Sequence, residues 1–249
     1  MSGPSVLRIV EIFPGLLGTY GDHGNLLVLA DRARRRGIHV ETLSIAPRQP
    51  VPSQGDIYLL GGGEDAAQTA ATGLLRSDHV FSSLVTDGRP ILAVCAGLQM
   101  LGSVFPGADG QLVNGLDLVD VRTVVGRVRA VGELAARPRA DLGLPTLTGF
   151  ENHRGRTQLG PNAEPLGRVL AGIGNGDGYE GLVGGRVIGT YLHGPVLARN
   201  PALADLLLSW VVGTLEPLEQ PHVDALRAER LRTIRRPKRI YQRFARPRR

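Results

Sequence analysis

The sequence predicts an α/β protein: a single doubly wound, mostly parallel sheet with one core, followed by a basic C-terminal extension. Three observations carry this. Short apolar runs rich in strand formers alternate with helix-compatible runs across residues 7–214, the pattern of a parallel sheet with crossover helices. The strand-like runs at 57–60 and 91–94 end in Gly61-Gly62-Gly63 and in Cys95-Ala96-Gly97, and sites gather in such loops at the carboxyl edge of parallel strands. Charge is concentrated at one end. Residues 227–249 hold 11 of the 29 basic residues and one acid, Glu229, whereas the rest of the chain carries 18 basic and 22 acidic residues. The net charge of +6 therefore belongs to the tail, and the body is mildly acidic.

Residues 7–12 read as a first strand. Residues 25–36 read as a helix that ends at Gly37, with arginines in the last turn where they suit the helix dipole. Further strands are expected at 40–44, 57–60 and 91–94, with a helix over 78–87 before the last of these. Residues 115–134 are β-branched and interspersed with arginines; 147–150 and 186–192 are further strands, and 201–214 is a helix. The Gly-, Asn- and Asp-rich segment 155–185 reads as loops around short strands. Beyond Pro221 the chain reads as a helical or flexible appendage. Its charge suits contact with a partner or an anionic membrane surface; a plain solvated tail or nucleic-acid binding is a weaker reading.

Composition excludes several classes. No stretch approaches the roughly 20 apolar residues of a membrane span. Residues 1–21 carry Arg8 and Glu11 and lack a charged leading segment and a cleavage site, so no signal peptide is expected. A single cysteine excludes an intramolecular disulfide, and a cytoplasmic location follows as the expectation. No GxxxxGK[ST] motif and no GxGxxG with a downstream acid occurs, and no Cys or His spacing suggests a metal site. No cofactor is expected on this chain.

That one cysteine, Cys95, stands where a strand-like run meets a helix-compatible run, with Ala93 two residues before it and Gly97 two after. This is the layout of a nucleophile elbow. The turn is tight enough to require small neighbours, and the following helix turns its N–H groups toward the sulfur. A buried structural cysteine is the bland alternative. A thiol nucleophile needs a base. Among six histidines, His193 follows the strand-like run 186–192 and precedes Gly194-Pro195, so a parallel sheet would bring it to the edge that carries Cys95. His23, His39, His79 and His222 read as surface or packing residues, with His153 intermediate. The Ala96 N–H and the Gly61-Gly62-Gly63 turn are candidate oxyanion donors, although an ordinary turn has the same pattern.

Val-Cys-Ala-Gly-Leu-Gln at 94–99 and Gly-Thr-Tyr-Leu-His-Gly-Pro at 189–195 resemble the class I, triad-type glutamine amidotransferases. Gly-Asp-His-Gly-Asn at 21–25, Gly-Gly-Gly-Glu-Asp at 61–65 and Gly-Phe-Glu-Asn-His-Arg-Gly-Arg-Thr at 149–157 are similar to the CobB/CobQ-type branch. Within it they resemble the stand-alone glutaminase subunits of lipid II isoglutaminyl synthase. The 149–157 block is the more specific marker, and the resemblance spans residues 7–215.

This resemblance implies a flavodoxin-like amidotransferase domain over 1–215 and a basic appendage over 216–249. It implies that Cys95 attacks the side-chain amide of glutamine with His193 as acid and base, and that Arg129, with Arg127 as the alternative, takes the substrate carboxylate. Gly62, Gly63, Ala96 and Gln99 would complete the substrate site. The family's usual glutamate two residues after the histidine is here Pro195. A Cys–His dyad is therefore expected, with Glu151 or Asp22 as possible substitutes for the third member. The implied partner is a MurT-like protein of the Mur-ligase family, forming a heterodimer. It would hold ATP and Mg and amidate the D-glutamate of lipid II at the inner membrane face. An amidotransferase subunit for a corrinoid-type acceptor and a catalytically silent partner-binding scaffold are the alternatives.

Overall fold

The structure, a computed structural model, describes residues 6–234. It forms two units, Met1–Leu218 and Glu219–Arg249. Of the second, the helix Pro221–Ile234 is described; residues 235–249, with most of the basic extension, lie outside the described residues.

The first unit opens with β1 (Leu7–Ile12), α1 (Gly24–Arg34), β2 (Val40–Ile45) and β3 (Ile57–Leu60). Next come α2 (Asp65–Arg76), α3 (His79–Thr86), β4 (Ile91–Val94) and the short α4 (Ala96–Leu101). Strands β5 (Val104–Pro106) and β6 (Leu112–Asn114) form a separate hairpin. Then follow β7 (Val121–Pro138), β8 (Leu147–Leu159), β9 (Gly167–Ala171), β10 (Tyr179–Glu180), β11 (Leu182–Gly184) and β12 (Val187–Thr190). Helices α5 (Val196–Arg199) and α6 (Pro201–Val212) close the unit.

The main sheet has the order β11-β12-β4-β3-β1-β2. All pairings are parallel except that of β11 with β12. Without the antiparallel edge strand this is the flavodoxin-like order. Strands β3, β4 and β12 are buried at every position, because helices cover both faces of a parallel sheet; β3 and β4 accordingly read as unbroken apolar runs. Arg32 on α1 is buried against Asp205 of α6, with guanidinium-to-carboxylate distances of 2.7 and 2.6 Å, and it ties the two helices together.

Besides the β5–β6 hairpin, the structure adds a helix and a second sheet to the sequence reading. Helix α2, whose buried positions Gln68, Ala71, Thr72 and Leu75 keep helical spacing but are half polar, was not expected. A second, antiparallel sheet of order β10-β9-β7-β8 stands beside the first. It takes in the arginine-rich stretch 115–134 and extends the strand expected at 147–150 to Leu159. An antiparallel bridge joins the region of β8 to the end of β12. Phe150 N–H donates to His193 O at 3.0 Å, and His193 N–H donates to Phe150 O at 2.8 Å.

Candidate active site

Cys95 sits at φ 52° and ψ −103°, between β4 and α4. That conformation is sparsely populated for a non-glycine residue and is characteristic of a strained functional turn. Its own N–H donates to Thr190 O at 2.8 Å, and its carbonyl accepts from Gln99 N–H at 3.0 Å. The turn is therefore held from both sides. The requirement for small neighbours is visible at Gly97, where a Cβ would stand 2.8 Å from Leu60 O.

His193 lies three residues beyond β12, and 1% of its surface is exposed. A Cβ on Gly62 would meet His193 Cε1 at 2.7 Å and Cys95 Cβ at 3.5 Å. The glycine turn after β3 is thus the gap that lets imidazole and thiol share one site. The Nδ1 of His193 is 3.2 and 3.3 Å from the two oxygens of Asp22. A carboxylate only accepts, so Nδ1 carries the proton and Nε2 is the reactive nitrogen. That Nε2 is buried and makes no hydrogen bond among the described residues. Burial by itself would lower the His193 pKa. The Asp22 carboxylate and the Cys95 sulfur more than reverse this and raise it to about 10.

The dyad expected from Pro195 is therefore corrected: geometrically the site is Cys95–His193–Asp22. Asp22 reaches it from the turn before α1, across 171 positions of sequence. Glu151, the other acid considered, is engaged elsewhere. It accepts from Ile173 N–H at 2.8 Å, Gly174 N–H at 3.0 Å and His153 Nε2 at 3.2 Å. His153 stacks on Tyr191 with ring centroids 3.7 Å apart, a packed role. His23 pairs with Glu11 at 2.7 Å.

Cys95 and His193 open into a cleft of about 350 Å³. Gly63, Gln99 and Arg129 also line it, whereas Arg127, Gly62 and Ala96 do not. The Gly62 N–H donates to Asp22 Oδ2 at 2.8 Å. It is committed to the acid rather than open to an oxyanion, which corrects its assignment to the substrate. The Gln99 side chain is likewise engaged, accepting from Gln68 Nε2 at 3.1 Å and donating to Tyr191 OH at 3.2 Å. It forms a wall of the cleft. Sequence reasoning missed Tyr20, whose ring stands edge-on to His193 at 5.0 Å between centroids, and the acids Glu64, Asp65 and Asp109 that line the cleft. Tyr20 has φ 60°, and no spacing in the sequence marks it.

An elbow cysteine beside a carboxylate-bound histidine, at the carboxyl edge of a flavodoxin-like sheet, is an arrangement that triad-type thiol hydrolases use. The chain belongs to the CobB/CobQ-like glutamine amidotransferase family, whose domain matches residues 8–201. It is 34% identical over 206 residues to the GatD subunit of the glutamine-hydrolysing lipid II isoglutaminyl synthase of Staphylococcus aureus, covering 81% of this chain and 83% of that one. It is also 34% identical to the GatD subunit of Streptococcus pneumoniae, over 83% of this chain and 80% of that one. A glutamine amidotransferase of Thermotoga maritima superposes with a TM-score of 0.50 at 17% identity, over 92% of this chain and 88% of that one, a likeness of fold.

Proposed function

We propose that this chain is the glutaminase subunit of a two-protein amidotransferase, and that its ammonia amidates the D-glutamate of lipid II on a MurT-like ligase. The observation that carries the reading is one cleft lined by the elbow thiol, a carboxylate-held imidazole, a guanidinium and three acids. An amino acid with a side-chain amide suits that charge pattern. Its α-carboxylate pairs with Arg129, and its α-ammonium lies toward Glu64, Asp65 and Asp109. The similarity to GatD subunits over four-fifths of the chain supports the choice of acceptor.

In this mechanism the Cys95 thiolate attacks the amide carbon of the glutamine side chain. The tetrahedral oxyanion is held by backbone N–H groups, for which Ala96 and Gly63 remain once Gly62 is committed to Asp22. Protonated His193 Nε2 gives its proton to the departing nitrogen, and ammonia leaves a γ-glutamyl thioester. Nε2 then takes a proton from water, water attacks the thioester, and glutamate and thiolate are released. Asp22 holds the ring through Nδ1 in both steps. ATP and Mg belong to the partner ligase, which activates the acceptor.

The test is glutamate release by the purified chain and its Cys95→Ser variant, each alone and with a co-expressed MurT-like ligase. Hydrolysis by the wild type at least about 10⁴-fold above the variant is expected. Equal rates for the two, or none from the wild type even with the ligase, would sink the reading.

A further inference from the structure

The 149–157 block is the most specific marker in the sequence, yet the mechanism above uses none of its side chains. The structure directs three of them at a single element. Between Val125 and Ala130 the pairing of β7 with β8 breaks its register. Residues 126–129 bulge from the ladder, and Arg129 lines the cleft. The bulge is held from the opposite strand. Arg154 Nε donates to Gly126 O at 3.2 Å. Arg156 donates to Val128 O at 2.7 Å and, through its other terminal nitrogen, to Gly155 O at 2.8 Å. Space for Arg156 is built in from two directions. A Cβ on Gly176 would stand 2.2 Å from its Cδ, and a Cβ on Gly126 would stand 2.9 Å from its Cζ.

Asn152 acts on the side chain. Its Oδ1 accepts from Arg129 Nε at 2.6 Å, and its Nδ2 donates to the Tyr20 hydroxyl. Both terminal nitrogens of Arg129 are left without a partner among the described residues, and together they form the planar fork that pairs with a carboxylate through two parallel hydrogen bonds. A long side chain on an exposed bulge normally gives up much of its binding gain when it is ordered. Here backbone and guanidinium are already fixed before a ligand arrives.

We propose that Asn152, Arg154 and Arg156 are positioning residues that hold the 126–129 bulge and aim Arg129, so that the cleft selects amides bearing a free α-carboxylate. This rests on the glutaminase reading, and the experiment separates the two. Asn152→Leu and Arg156→Lys are compared with the wild-type full chain for glutamine kcat and KM. A third readout is alkylation by iodoacetamide, a neutral reagent without a carboxylate that reports on Cys95, the chain's one thiol.

Asn152→Leu should raise KM roughly 10- to 100-fold, the scale of one lost hydrogen bond to a charged group. Its kcat and alkylation rate should stay within about threefold of wild type, since neither reads the carboxylate contact. Arg156→Lys keeps the charge but loses the planar fork and should raise KM by about tenfold. An active wild type whose KM is unmoved by both variants overturns the clamp alone. A fall in alkylation together with kcat also overturns it, because the residues would then be supporting the thiol and imidazole. A wild type that hydrolyses no glutamine, even with its ligase, removes the glutaminase reading and the clamp with it.

Discussion

The parallel and antiparallel sheets meet at one cleft but furnish it by different physics. From the carboxyl edge of the parallel sheet come Cys95 and His193, with Asp22 from the turn after β1, all three buried. Their positions follow from short strands buried on both faces and from turns that only small residues fit. From the antiparallel sheet come Arg129, Asn152 and Arg154, exposed or half-buried side chains held by hydrogen bonds to one another and to the backbone of the bulge. On the proposed function, burial fixes the groups that react and polar contacts fix those that recognise the substrate. The difference suggests a division of labour: damage to the first region should appear in kcat, and damage to the second in KM.

The sharpest way to break that division is at His193. His193→Ala should lower kcat by about 10²- to 10⁴-fold, the range of general acid–base catalysis. Asp22→Asn should fall in the same range of roughly 10²- to 10⁴-fold, because an amide no longer fixes the proton on Nδ1. Both variants should leave KM for glutamine within a few-fold of wild type, as read from steady-state hydrolysis. A large rise in KM with kcat preserved in either would mean that the parallel-sheet edge binds substrate rather than transforming it.

The same division explains what could be read in the sequence. Strands β3 and β4 were legible to the residue, because four consecutive apolar positions ending in small residues have few alternative readings. Cys95 and His193 were legible as strand-end residues for the same reason. Of the antiparallel sheet, only the start of β8 at 147–150 was read as a strand. In β7 the run is interrupted by Gly126, Arg127, Arg129 and Gly132. In β8 the buried positions beyond Phe150 include Glu151 and His153, polar residues that satisfy each other and leave no alternation of apolar and polar side chains. Asp22 was named only as one possibility beside Glu151, because a tertiary contact between a turn and a distant strand end leaves no local pattern. Helix α2 keeps helical spacing on its buried face, but two of the four buried residues, Gln68 and Thr72, are polar, so that face does not read as apolar in the sequence.

A smaller effect tests the recognising side. Arg129→Ala should raise KM for glutamine by about 10- to 100-fold, the cost of a lost charge-assisted pair. Its kcat at saturation should change little. Arg127→Ala, outside the cleft, should leave both constants near wild type. The reverse outcome for the two arginines would show that the bulge presents the other side chain to substrate.

The smallest effect on turnover is expected where the two sheets come closest in character, at the buried acid Glu180. It belongs to the antiparallel sheet, yet its Oε1 accepts from Thr190 Oγ1 at 2.5 Å and Tyr191 N–H at 2.9 Å, just before His193. Its Oε2 is buried without a hydrogen-bond partner among the described residues. Burial pushes its carboxyl up, the contacts from Thr190 and Tyr191 pull it down, and nearby Glu151 pushes it up again, leaving it at about 7 against an ordinary value of 4.5. Between those values the folded chain holds a proton that the unfolded chain has released. Stability from this group is therefore complete below about pH 4.5 and is lost as pH rises through about 7. Glu180→Gln is neutral at every pH and keeps an acceptor for Thr190 and Tyr191. Relative to wild type it should gain stability between pH 5 and pH 8, by up to roughly 3 kcal/mol in urea unfolding, with kcat within a few-fold. If the difference between variant and wild type is flat across that range, Glu180 is ionised in the fold, and the end of β12 is held by a charge rather than by a neutral acid.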